Sequence, residues 1–304
     1  MIRWLVRAGV SVAVVAVLLA IIPLGAVLGA LRQVSLWTWS ASVVIFFAGH
    51  YLNAMKLRLL LGPAPGLTSA CVRAQYAGLV ANLGLPGLAG GDFVRAAYLA
   101  PLCGVQRVTV ASIADRLTDT GIVVALVAVA LPIAGMPPGI ADLVRDAGMW
   151  LAVGVAVVAV TGLAVMRLRR FAGLAGKVSR AWHTVMARRS ALFGAAIISL
   201  VVQSAFVMTN VWLARQVGVS TELPAWFVAW PLSKLIAVLP ISLGGIGVRE
   251  AALVSLLAPY GAAREAVLAS GILWQAVLVV TGLVGLVITQ IVRRPTPVTA
   301  ARSA

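Results

Sequence analysis

From Ala8 to Leu31 the chain carries no charged side chain, and further apolar runs of comparable length follow along its 304 residues. An α-helix rises about 1.5 Å per residue, so about 20 apolar residues cross the hydrocarbon core of a bilayer. No water reaches that core to satisfy the backbone, which leaves helices or closed barrels as spanning structures. The runs lack the strict alternation of barrel strands. The chain therefore reads as an all-α polytopic membrane protein. Its composition agrees, at 62% hydrophobic and 11% charged residues with a mean hydropathy of +1.06. A soluble domain of this size needs far more polar surface.

Arg3 and Arg7 before an apolar stretch imitate a signal peptide. The stretch is too long for a cleaved segment and more spans follow, so it reads as the first span. Cys71 and Cys103 stand alone in apolar sequence and read as buried thiols rather than a disulfide or metal site. Net charge is +16, from 24 basic and 8 acidic residues. In a membrane protein this means topogenic charge and attraction to anionic headgroups. No basic segment interleaved with aromatics is present for nucleic acid to use.

The pattern predicts helices at roughly 8–31, 36–60, 67–85, 91–102, 107–134, 147–166, 190–214, 223–239, 246–258 and 264–292. Basic residues are retained on the cytoplasmic side. The connection after residue 166 holds Arg167, Arg169, Arg170, Lys177, Arg180, Arg188 and Arg189. That connection, the N-terminus and the tail with Arg293, Arg294 and Arg302 are assigned to the cytoplasm. The connections near 32–35, 135–146 and 215–222 are nearly neutral and face out. Threading the chain returns it to the cytoplasm near Lys56 and Arg58. The segment at 91–102 is too short to cross alone. Residues 67–102 then form a re-entrant hairpin broken at Pro86–Gly91, and a second hairpin breaks at Pro240–Gly245. The expected fold has about six full spans plus two re-entrant helical hairpins. It is a single membrane domain, with one half over 1–140, the other over 141–292, and a short basic tail at 293–304. Each half holds three spans, so the halves are inverted, the plan of secondary transporters.

The hairpins share a motif. "LPGLAGGDFVRAAYL" (85–99) and "LPISLGGIGVREAAL" (239–253) repeat Leu-Pro, three residues, Gly-Gly, two residues, Val-Arg, one residue, Ala, one residue, Leu. Pro86 and Pro240 lie 154 positions apart. Gly90, Gly91, Gly244, Gly245 and Gly247 allow unusual backbone and close approach. Each glycine pair opens a short helix, whose free N–H groups suit an anion. Arg95 and Arg249 follow about one turn in, where a planar fork can hold a phosphate at two points. Against this stands helix packing with the arginines reaching to the headgroups; the recurrence favours function.

Acidic residues are scarce. Asp92 and Glu250 neighbour the two motif arginines, and Glu250 can pair with Arg249 or with the opposite half. "ASIADRLTDTG" sets Asp115 and Asp119 on one helix face, with Arg116 and Asp119 spaced as an i,i+3 pair. A structural ion cluster, a proton relay and a headgroup contact are all compatible with that spacing. Lys234 sits inside a hairpin leg and must face a cavity or a partner. Gln75, Asn53, Asn82, Gln203, Asn210 and Gln275 read as interhelical hydrogen-bonding glue. Trp37, Trp39, Trp150 and Trp226 read as interfacial anchors. "GLAGKVS" at 173–179 lacks the spacing and the hydroxyl residue after Lys177 that a P-loop needs.

With these elements in this order the sequence resembles the lysylphosphatidylglycerol synthase transmembrane-region family, the flippase-like integral membrane proteins, over roughly 10–292. The resemblance implies lipid handling. It maps Gly244, Gly245, Gly247, Arg249 and Glu250 onto the family's second element, Gly91, Asp92 and Arg95 onto the first, and Asp115–Arg116 onto its acidic-Arg pair. The chain ends about a dozen residues after its last span, so no soluble synthase domain and no aminoacyl transfer are expected.

The leading expectation is a lipid translocase for anionic or polyprenyl-linked headgroups in the inner (cytoplasmic) membrane, working without a cofactor. Its substrate-binding residues would be Arg95, Arg249, Glu250, Asp92, Asp115, Arg116, Asp119 and Lys234. The alternatives are a scaffold for a lipid-modifying or glycosyl-transfer enzyme, and a small-anion transporter. No nucleophile–base set or metal cluster points to an enzyme.

Overall fold

A computed structural model describes residues 29, 32–84, 89–135, 172–236 and 248–292. Among these residues the chain forms nine α-helices, one 3₁₀ turn and no strand. They are α1 (Leu36–Leu61), α2 (Leu67–Gly84), α3 (Ala89–Cys103), α4 (Val105–Ala134), α5 (Ala172–Met186), α6 (Arg189–Gln216), α7 (Leu223–Ile236), α8 (Val248–Leu257) and α9 (Arg264–Ile291). Four of them, α1, α4, α6 and α9, are long and apolar enough to cross a membrane. The expected spans at 8–31 and 147–166, the tail at 293–304, and Pro86, Pro240, Gly244, Gly245 and Gly247 lie outside the described residues.

Local chemistry sets the helix ends. Ser35 caps α1 by accepting from the Thr38 N–H at 3.1 Å, satisfying one of the donors that a helix start leaves free. Gly62 ends it at φ +81°, and its N–H bonds the Arg58 carbonyl at 2.9 Å. Between α3 and α4 stands a single residue, Gly104, at φ +79°. Only glycine takes such angles at no steric cost, so two helices can meet there without a loop.

α2 and α3 run antiparallel in close contact. Gly78 touches Gly91 and Arg95, and Asn82 touches Gly91, so contact positions climb on one helix as they fall on the other. A Cβ on Gly78 would stand 2.7 Å from the Gly91 carbonyl oxygen. Gly90 and Gly91 open a short helix as expected, in the first turn of α3, but without a positive φ, and Gly91 lets the backbones approach. α7 and α8 pack against each other as a second pair.

Two apolar clusters divide the bundle. One joins Leu61, Leu67, Leu99, Val108 and Val185, at the end where α1 finishes and α2, α4 and α6 begin. The other runs through the middle to the opposite end and includes Val34, Trp226, Leu257 and Val267. There the Tyr260 hydroxyl donates to the Gly135 carbonyl at 3.1 Å. The outer ends of α2 and α3 belong to the first end, those of α7 and α8 to the second.

Three readings change. The basic connection at 167–189 contains α5, because Trp182, Val185 and Met186 are spaced for one helix face and pack into the first cluster. Trp226 is 1% exposed and sits in the core, whereas Trp37 is exposed as an anchor should be. Lys56, taken as a topogenic charge, is fully buried.

Candidate functional site

A cavity of about 180 Å³ opens among α1, α2, α3, α4, α6, α7, α8 and α9. Among the expected site residues Asp92, Arg95, Asp115, Arg116, Asp119, Lys234 and Arg249 all line it. Glu250 stands behind, ion-paired to Arg249. Residues as far apart in sequence as Asp92 and Arg249, 157 positions, thus share one space.

The first half supplies a continuous chain of alternating charge. Lys56 Nζ donates to Asp119 Oδ1 at 2.6 Å and to the Ser199 hydroxyl at 3.1 Å, and forms an ion pair with Asp115 Oδ1 at 3.0 Å. Asp115 Oδ2 accepts from Arg95 Nη2 at 3.0 Å. Arg95 Nη1 reaches Asp92 Oδ1 at 3.2 Å, and Asp92 Oδ2 accepts from Arg116 Nε at 2.6 Å. Ser199 also donates to Asp119 at 2.7 Å. α1, α3, α4 and α6 are pinned together by this chain. Arg116 therefore pairs with Asp92 across helices, and the Arg116–Asp119 pair expected from i,i+3 spacing gives way. Lys56 is the nearer and less solvated partner for Asp119.

The second half is built differently. Arg249 pairs with Glu250, its Nη2 lies 3.4 Å from Gln275 Oε1, and its guanidinium stands 5.4 Å over the Trp230 ring, within cation–π range. Lys234 Nζ donates to Gln203 Oε1 at 3.0 Å and has no ion-pair partner among the described residues. First-half cations and carboxylates balance along the chain, whereas Lys234 is a buried ammonium left over. Apolar walls complete the cavity. Phe46, Phe206, Trp230 and Trp274 line it as an edge-to-face cluster with ring centroids 4.8 to 6.0 Å apart.

Several polar residues read as glue line the cavity too: Gln75, Asn53, Asn82 and Gln203, along with His50. His50 Nδ1 bonds Gln75 Nε2 at 3.0 Å. Asn82 Oδ1 accepts the Gly91 N–H at 2.6 Å, so that start-of-helix donor is already filled. Asn210 keeps the expected packing role, donating to the Phe206 carbonyl at 2.8 Å. Lys56 is the site residue that sequence reasoning missed. Its only signal was a lysine at the end of a long uncharged run, the same signal that a topogenic charge gives.

Among the described residues no group of three or more His, Cys, Asp or Glu could hold a metal ion. Cys71 and Cys103 are free thiols. No curated protein and no solved structure matches the chain. The family description "Lysylphosphatidylglycerol synthase TM region" matches residues 4–285. A cavity of paired and unpaired charge inside membrane-length helices, carried by a sequence matched over nearly its whole length, places this protein in the lysylphosphatidylglycerol synthase transmembrane-region family.

Proposed function

We propose that the protein is a lipid translocase that moves anionic or polyprenyl-linked lipid headgroups across the inner membrane. The observation that carries this reading is Lys234, an ammonium lining the cavity with no carboxylate partner among the described residues. Asp119, the carboxylate that acts on it, is itself ion-paired to Lys56, and a buried cation so weakly compensated is costly and favours an incoming anion. Arg249 offers a planar fork in the same cavity, suited to two phosphate oxygens. The cavity holds a headgroup, while the acyl chains stay outside it in the lipid. The charged residues Asp92, Arg95, Asp115, Arg116, Asp119 and Glu250 hold the site's shape and charge.

Alternating access is proposed through the two interrupted helix pairs, α2/α3 and α7/α8. Their outer ends lie at opposite ends of the bundle, which supports reading them as re-entrant hairpins of an inverted repeat. Both termini are proposed to be cytoplasmic, and an enzyme of lipid synthesis is the proposed source of cargo. The test is leaflet-resolved transport of labelled anionic lipid by purified protein in liposomes. Lys234→Met and Arg249→Gln should each slow it by about tenfold or more, the scale of one charge-assisted hydrogen bond. Undiminished transport in the Arg95→Ala, Arg249→Ala double variant sinks the site assignment. Transport of a soluble anion without lipid replaces lipid with that anion as the cargo.

A further inference from the structure

A second basic site lies away from the cavity. Gly62 ends α1, and the space its missing Cβ leaves is filled by two guanidinium groups, Arg107 from the first turn of α4 and Arg188 from the α5–α6 joint. Arg107 Nη2 stands 2.8 Å from the point a Cβ would occupy, and Arg188 Nη1 closer still. Two like charges therefore converge on one point. Both residues are half-buried, and neither guanidinium has a hydrogen-bond or ion-pair partner among the described residues. Like charges this close repel, and no protein group accepts from the five N–H donors of either side chain among the described residues.

The surroundings add positive potential. α4 and α6 both begin here, at Gly104 and Arg188, without a side-chain cap, so their free N–H groups and positive dipole ends face the same region. Among the described residues no carboxylate lies at this end. Asp92, Asp115, Asp119 and Glu250 are held in ion pairs at the cavity, while Glu222 lies in the connection before α7 and Glu265 in the first turn of α9, both at the opposite end. Beside the site α5 turns Trp182 and Val185 inward and leaves Arg180 and His183 exposed, the pattern of a helix lying in the membrane interface. Three membrane-length helices start or finish here, which sets the site at headgroup depth.

We infer that Arg107 and Arg188 form a phosphate site distinct from the central cavity, and that its occupant is the phosphate of an anionic lipid headgroup. Two planar forks meeting at one point can share a tetrahedral oxyanion. The bound phosphate cancels the repulsion and ties α1, α4 and α6 together at this end.

The test uses the full chain in nanodiscs of phosphatidylcholine, with thermal unfolding followed as phosphatidylglycerol or inorganic phosphate is added. Wild type should gain several degrees with phosphatidylglycerol, and Arg107→Gln with Arg188→Gln should lose the gain, its apparent affinity falling about tenfold or more. In phosphatidylcholine alone the double variant should unfold no lower than wild type, because repulsion has been removed; a purely structural role for the arginines predicts a drop, and that drop would falsify the site. A gain of equal size with inorganic phosphate, lost in the same variant, keeps the site and overturns the lipid as its occupant. Equal responses in wild type and variant, or no response in wild type, overturn the proposal. The cavity residues are unaltered in these variants, so failure here leaves the transport reading standing.

Discussion

Lys56 and Lys234 are both lysines inside membrane-embedded helices, and the structure gives them opposite accounts. Lys56 is ion-paired to Asp115 and Asp119 and hydrogen-bonded to Ser199. Removing it takes the shared cation from the buried Asp115 and the half-buried Asp119. Lys56→Met should therefore cost about 3–5 kcal/mol of stability, read from the midpoint of unfolding in mixed micelles, and adding Asp119→Asn should restore part of that loss. Lys234 donates its hydrogen bond to the amide of Gln203 and feels Asp119 only at longer range, since that carboxylate is held by Lys56. Lys234→Met relieves a desolvated charge, so its unfolding midpoint should stay level or rise while lipid transport falls about tenfold or more. A parallel fall in both quantities would make Lys234 structural. Both residues are single letters in apolar sequence; the carboxylates that distinguish them come from other helices.

Gly91 of the first motif acts in helix packing. With Gly78 of α2 it brings α2 and α3 together, and Asn82 seals the contact through the Gly91 N–H. Backbone cannot move aside as a side-chain tip can. Gly78→Ala should destabilise by about 1–3 kcal/mol through overpacking and disturb Arg95, whose Cγ lies 2.8 Å from the new methyl position. Gly121 in α4 has no neighbour within 4 Å of a Cβ, so Gly121→Ala should leave the unfolding midpoint unchanged or slightly raised. Equal losses in both variants would remove the close approach as the cause. The helices themselves could be read from the sequence: α1, α2, α4, α6 and α9 begin and end within about two residues of the expected bounds, because long uncharged runs have one solution in lipid. α5 was hidden because its charge count drew more notice than the spacing of Trp182, Val185 and Met186.

Across the bundle, the joints at Gly104 and at Ala262 lie at opposite ends. In a chain with Cys71 and Cys103 replaced, single cysteines at these two positions should react with an impermeant thiol reagent from opposite sides of sealed vesicles. Reaction from the same side would sink the inverted arrangement and, with it, alternating access by two opposed hairpins. The test is independent of cargo. It also decides whether the Arg107–Arg188 site faces the cytoplasm, as the basic connection at 167–189 demands.

The chain by itself determined the helical membrane class, the family and the identity of most of the charged residues that matter. Lipid forbids unpaired backbone, and rare charges in apolar helices are expensive enough to mark themselves. Which charge meets which was decided only by tertiary structure. Arg116 turns to Asp92 rather than Asp119, Lys56 is claimed from the interface by two aspartates, and Lys234 is left without one. Pairing energy depends on distance and on the dielectric around it, and both are set by helices far apart in sequence. The repeated motif announced two matching arginines; packing gave one a chain of carboxylates and the other its neighbour Glu250, a tryptophan face and an amide.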